Sequence, residues 1–139
     1  MRNRGNPAFA NFEDKFVFKL GGAFRESVNI DYYDVSHDAW IEGPEMNGKS
    51  TPRYDFSCCI LNGILYVFGG PGGSSLIDSL DVRSLVNGES VEFKAIVLPP
   101  DSTNFYPGPH PYMSPISPTE FIVFNSLLRD ATIYNVEMV

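Results

Sequence analysis

Ile64 to Gly70, ILYVFGG, is the stretch on which the reading of this chain turns, because the chain makes it more than once. Phe16 to Gly22 reads FVFKLGG, again an apolar run closed by two glycines, and Phe121 to Ser126 reads FIVFNS, a worn third copy. The offset from Gly22 to Gly70 is 48 residues, and from Gly70 to Ser126 it is 56. Repetition at such a period specifies a whole architecture rather than one local element. Phe16 to Leu20 is short, aromatic-rich and interrupted only by Lys19, which suits a strand buried on most of both faces. The closing glycines imply backbone at positive φ or a close approach by a neighbouring chain segment.

The flanks of these runs complete each cycle. Residues 1–11 begin irregularly, Ala8 to Phe12 reads as a short strand, and Glu13-Asp14-Lys15 as a polar turn. After the loop AFRES come strands at Val28 to Val35 and, past the turn Ser36-His37-Asp38, at Ala39 to Gly43. The loop GPEMNGKSTP holds too much Gly, Pro, Asn and Ser for regular structure. Arg53 to Leu61 reads as a strand, and Asn62-Gly63, the strongest short-range hairpin signal, turns it back into ILYVFGG. The second cycle has its loop at PGGSSL, strands around Ser79 to Leu85 and Val91 to Val97 joined through Asn87-Gly88, and a long loop from Leu98 to Tyr112 carrying five prolines. The third cycle has strands near Met113 to Ile116, at FIVF and at Ala131 to Val136, with a turn at Ser117 to Glu120. No segment shows a convincing helical period. Short strands joined by turn chemistry and repeated in this way describe meander blades, the unit of a propeller.

Composition narrows the function classes. The 139 residues are 43% hydrophobic and 14% aromatic, enough for one ordinary globular core. Ten Lys and Arg against 17 Asp and Glu give a formal charge of −7. Such a surface repels phosphate backbones and anionic lipid headgroups, so neither nucleic acid nor a membrane is expected as a partner. No apolar run approaches the roughly 20 residues of a membrane helix. The start, MRNRGNPAF, lacks the apolar core of a signal peptide. Cys58 and Cys59 are adjacent, and neighbours on a strand point to opposite faces, so the expectation is a reduced pair in a cytoplasmic protein.

With these residues in place, the chain resembles the kelch repeat proteins, whose pattern is an apolar strand, a double glycine, a tyrosine and then a tryptophan. Gly21-Gly22 is followed by Tyr33, and six residues separate Tyr33 from Trp40. Arg53 stands where kelch blades often open the innermost strand with arginine. The second cycle keeps Gly69-Gly70, with Leu80 near the tyrosine position and Phe93 near the tryptophan. The third has Asn125-Ser126 for the glycines, keeps Tyr134 and ends before a tryptophan. Asn is the best non-glycine residue at positive φ, so Asn125 can preserve the corner.

The resemblance implies an all-β fold, an incomplete kelch-type β-propeller of four-stranded antiparallel blades. Its blades would be 4–50, 51–100 and a partial, degenerate 101–139. Gly21, Gly22, Tyr33, Trp40, Arg53, Gly69 and Gly70 are then residues of the structural motif, with Tyr33 and Trp40 filling the wedge between adjacent blades. Propellers close with about four to eight blades. The expectation is therefore a fragment of a longer protein, or a chain that self-associates to close the propeller.

Candidate chemistry is thin. Gly69 to Gly73, GGPGG, lacks the Gly-Lys-Ser/Thr ending and the following helix of a phosphate cradle. Asp31, Asp34, His37 and Asp38 lie close in sequence, but Asp31 and Asp34 point to opposite faces of a strand, and turn residues hydrogen-bond locally. His110 sits in the proline-rich loop, and no Ser or Cys has the flanks of a nucleophile. Pro107-x-Pro109-x-Pro111 and Pro115-x-x-Pro118 resemble polyproline ligands, but a loop between blades accounts for them. No catalytic residue, metal or cofactor is expected.

Kelch propellers usually bind partners through loops on one face, so the expected function is non-catalytic binding of a partner protein or peptide. Here those loops are Ala23 to Ser27, Pro71 to Leu76, Asn125 to Asp130, Gly43 to Pro52 and Leu98 to Tyr112. Within them Phe24, Arg25, Lys49, Phe105, Tyr106 and Arg129 are the candidate contact residues, aromatic or basic side chains of the kind enriched at binding hot spots. The alternative is part of a kelch-type propeller enzyme acting on a sugar or small metabolite. It would need catalytic residues that this segment lacks.

Overall fold

The computed structural model describes residues 8–20, 29–45, 56–69, 76–97, 112–124 and 131–138. They form three antiparallel sheets, each a meander of sequence-adjacent strands. The first holds β1 (Ala8–Phe12), β2 (Phe16–Leu20), β3 (Asn29–Asp34) and β4 (Ala39–Glu45). The second holds β5 (Phe56–Leu61), β6 (Ile64–Gly69), β7 (Leu76–Asp81) and β8 (Lys94–Val97), with a short helix α1 (Val82–Val86) after β7. The third holds β9 (Tyr112–Ser117), β10 (Glu120–Phe124) and β11 (Ala131–Asn135), followed by a 3-10 turn, Val136–Met138. The opening strands β1, β5 and β9 lie side by side. No helix among the described residues is long and apolar enough to cross a membrane.

The turns follow from their residues. Asn62 at φ 51° and Gly63 at φ 79° make the mirror-image turn that matches the twist of the strands it joins. Glu13 and Asp14, both at φ 56°, do the same between β1 and β2 without a glycine. Asn11 holds that turn, donating from Nδ2 to Asp14 Oδ1 at 2.8 Å and accepting from the Asp14 N–H at 3.0 Å.

Two expected strands differ. Ser79 to Leu85 does not continue as a strand: β7 ends at Asp81 and Val82–Val86 is helical. Asp81 caps the helix, accepting from the Ser84 N–H at 3.0 Å and the Ser84 hydroxyl at 2.9 Å. The Val82 and Arg83 N–H groups donate to Gly63 O, and Gly88, at φ 91°, closes the far end by donating to Leu85 O. Asn87-Gly88 therefore terminates a helix rather than joining two strands. In consequence Val91, Glu92 and Phe93 are irregular, and β8 begins only at Lys94. Leu76 belongs to β7, not to the preceding loop.

Strand alternation divides each sheet into two faces, and among the described residues stacking of sheet on sheet covers four of the six. The face of the first sheet bearing Phe18, Leu20, Ile30 and Tyr32 packs on Leu65, Val67, Leu80 and Val82 of the second, with Phe12 and Phe93 in the same cluster. The opposite face of the second sheet, with Cys59, Leu61, Tyr66, Phe68 and Ile77, packs on Met113, Phe121, Val123 and Tyr134 of the third. Cys58 packs against the first cluster and Cys59 lies in the second, both as free thiols on opposite faces. Burial pushes each thiol up to about 12, with Cys59 adding to the effect on Cys58.

Leu65, wholly buried between the first two sheets, is a direct test of this packing. Leu65→Ala should lower stability by about 2–5 kcal/mol. Val35→Ala, on an exposed turn, should change it by less than about 0.5 kcal/mol, both read from urea titrations. The thiols give a second test. A raised folded-state value means the folded chain keeps protons that the unfolded chain releases, so this contribution is complete below the ordinary thiol value of 9.0 and is lost as pH climbs toward about 12. In the native chain at pH near 8, Ellman's reagent should leave both cysteines unmodified on a timescale in which the urea-unfolded chain reacts at both.

Candidate functional site

Each sheet has two unlike ends. In the first, the turn at 13–15 and the turn between β3 and β4 occupy one end, and the strand ends bordering residues 21–28 and 46–55 lie at the other. In the second, Asn62-Gly63 and α1 lie opposite the ends that border residues 46–55, 70–75 and 98–111. In the third, the turn at Pro118-Thr119 lies opposite the ends bordering residues 98–111 and 125–130. The turns at 13–15, 35–38, 62–63 and 118–119 and the 82–93 segment that holds α1 thus lie at one end of their sheets, and the connections 21–28, 46–55, 70–75, 98–111 and 125–130 leave from the other.

Phe24, Arg25, Lys49, Phe105, Tyr106 and Arg129, together with Gly21, Gly22, Arg53, Gly70 and His110, lie outside the described residues. Gly69 is the last residue of β6. Tyr33 and Trp40 face each other across β3 and β4 with ring centroids 5.4 Å apart. They stand on the outward face of the first sheet, where no described sheet faces them, and Trp40 is 58% exposed. Their counterparts are covered. The register that pairs Val17 with Tyr33 also pairs Leu65 with Leu80 and Phe121 with Tyr134, and Leu80 and Tyr134 are buried between sheets.

The turn after β3 gathers the acidic and imidazole groups. Asp34 accepts from the Ser36 N–H at 3.1 Å, the Ser36 hydroxyl at 2.9 Å and the His37 Nδ1–H at 2.8 Å. The His37 hydrogen bond, with those from Ser36 and the His37 backbone, holds the Asp34 carboxyl below its ordinary value. Tyr33 donates its hydroxyl to Asp38, which raises the phenol's value. These bonds close a turn on itself. Among the described residues no group of three or more His, Cys, Asp or Glu is placed to hold a metal ion.

A contact that the sequence did not announce joins the first two sheets. Arg83, on α1, donates to Glu13 at 2.9 Å, and its guanidinium lies 5.1 Å from the Phe12 ring centroid. Seventy residues separate the ion-pair partners, so no local pattern relates them. Also unannounced is the outward face of the third sheet. Tyr112, Ile122, Phe124 and Ile133 share it, with the Tyr112 and Phe124 rings 6.4 Å apart.

Residues 52–82, which take in β5, β6, β7 and the first residue of α1, match the family model of the kelch motif. No curated protein matches the chain. The matched segment holds three of the four strands of the central sheet, one of three sheets that repeat one strand order and one face alternation. With the double-glycine cycle of its sequence, this match supports a kelch repeat protein, and the three antiparallel sheets are consistent with incomplete blades of an all-β propeller.

Proposed function

We propose that this chain is a non-catalytic protein-interaction module that binds a partner protein or peptide through the connections at one end of its sheets. The observation that carries this reading is that the connections 21–28, 46–55, 98–111 and 125–130, which hold the candidate contact residues, all leave from the same end of their sheets, opposite the turns at 13–15, 62–63 and 118–119. Kelch repeats generally mediate protein interactions and act as non-catalytic scaffolds, which supports the same reading. Its blades are 4–50, 51–100 and the partial 101–139. The motif residues Gly21, Gly22, Tyr33, Trp40, Arg53, Gly69 and Gly70 would build the fold, and Phe24, Arg25, Lys49, Phe105, Tyr106 and Arg129 would make the contacts. The net charge of −7 disfavours nucleic acid and membrane surfaces, and the two free thiols suit a cytoplasmic setting. Self-association, by which an open arc of blades would gain its missing neighbours, belongs to the same reading.

Arg25 and Arg129, set on an acidic body, suit an acidic peptide. Peptides selected by display against the whole chain should be enriched in Asp and Glu. Fluorescence polarisation should find their affinity reduced about tenfold or more, or roughly 1.4 kcal/mol, by Arg25→Ala combined with Arg129→Ala. Unchanged affinity in the double variant would end the acidic-peptide reading.

A further inference from the structure

The three sheets stack head to tail, and the repeat itself names what the two open faces lack. Aligning the double-glycine runs makes Phe18 and Leu20 of β2 equivalent to Tyr66 and Phe68 of β6, and to Ile122 and Phe124 of β10. In the first sheet this set is buried against the second, and in the second it is buried against the third. It is the covering face. In the third sheet it covers nothing described, and Phe124 is 43% and Tyr112 65% exposed.

The opposite face of each sheet receives. Leu65 with Leu80 receives the first sheet, and Phe121 with Tyr134 receives the second. In the first sheet the equivalent residues are Val17 and Tyr33, extended by Trp40 across β4, and they receive nothing described. Phe93, one step before the Ser79–Lys94 pair, fills in the second sheet the place that Trp40 holds in the first, and is buried.

Among the described residues the third sheet thus carries a covering face and the first a receiving face that no described sheet meets, and the two match as the partners of one repeated contact do. We propose that a second copy of this chain occupies both. The covering face of each copy's third sheet would dock on the receiving face of the other's first sheet. Two copies give six sheets, inside the range of about four to eight at which propellers close, whereas three copies exceed it. A head-to-tail contact that closes forms a ring and covers both of the faces that no described sheet meets.

The expected new contact follows from the existing one. Phe68 lies 5.6 Å from Tyr134, centroid to centroid. Phe124 of one copy then meets Tyr33 and Trp40 of the other. Lys19 stands in the receiving face where Val67 and Val123 are buried. It pairs across the strands with Asp31, and its methylene stem can cover apolar surface while the ammonium stays at the rim. The inference rests on the propeller reading of the fold.

Light scattering on the full chain at micromolar concentration is expected to find twice the 15.5 kDa chain mass. Phe124→Asp and Trp40→Asp, each at an exposed position, should separately give folded single chains by circular dichroism. Mixed together, they should form a two-chain species again, because one covering face and one receiving face remain intact between them. Trp40 is the sole tryptophan, so its emission should move to shorter wavelength in the two-chain species and return on Phe124→Asp. A single-chain wild type, an open-ended polymer, or loss of association in only one variant would overturn the proposal. So would failure of the mixed variants to associate. A single-chain wild type that still binds acidic peptides would remove the ring while leaving the loop-binding reading intact.

Discussion

A strand whose residues are apolar at successive positions has no face to give to water, and that constraint governs this molecule. In β6, Leu65 and Val67 point one way while Tyr66 and Phe68 point the other, and all four are buried. A sheet of this kind must be covered twice. The second sheet is, by the first on one side and the third on the other, and it is the segment that carries the kelch match. The flanking sheets have one neighbouring sheet each among the described residues, and each carries aromatic side chains exposed on its other face. Fully burying an exposed apolar side chain is worth roughly 1.5–3 kcal/mol, and those on these faces, already partly covered, forgo a fraction of it, so the open faces of the outer sheets bear on association directly.

The stack is trimmed by contacts that are weaker singly but fix orientation. Arg83 reaches from α1 to Glu13 and lies over Phe12, tying the first turn of one sheet to the helix of the next. Both charged side chains are about half exposed, so the pair adds little stability, and its role is alignment. The helix that carries Arg83 exists because Asp81 and Ser84 cap it and because Gly63 O accepts two of its N–H groups. The turn at Asn62-Gly63 thus serves both the hairpin that makes β6 and the helix that follows β7.

The cysteines show how function classes are narrowed by packing. Each lies on a different face of β5 and is held protonated by burial, which removes the nucleophilic form that redox chemistry would need. The acidic turn at Asp34 to Asp38 spends its hydrogen bonds on itself.

Much of the fold was legible without coordinates. The runs at Phe16, Ile64 and Phe121 specify strands by their composition, and Asn62-Gly63 specifies a hairpin because few dipeptides accept positive φ twice in succession. These are local properties, and local chemistry decides them. The candidate binding residues were legible only as sequence, since their positions lie outside the described residues. Helix α1 was misread as strand because Val82, Leu85 and Val86 suit either element. The choice fell to caps and to Gly63 O, a partner nineteen residues from Val82. Which face of a strand is covered was likewise decided only in three dimensions. Alternation makes Tyr33, Leu80 and Tyr134 equivalent along the chain, and the presence of a neighbouring sheet buries two of them and leaves the third open.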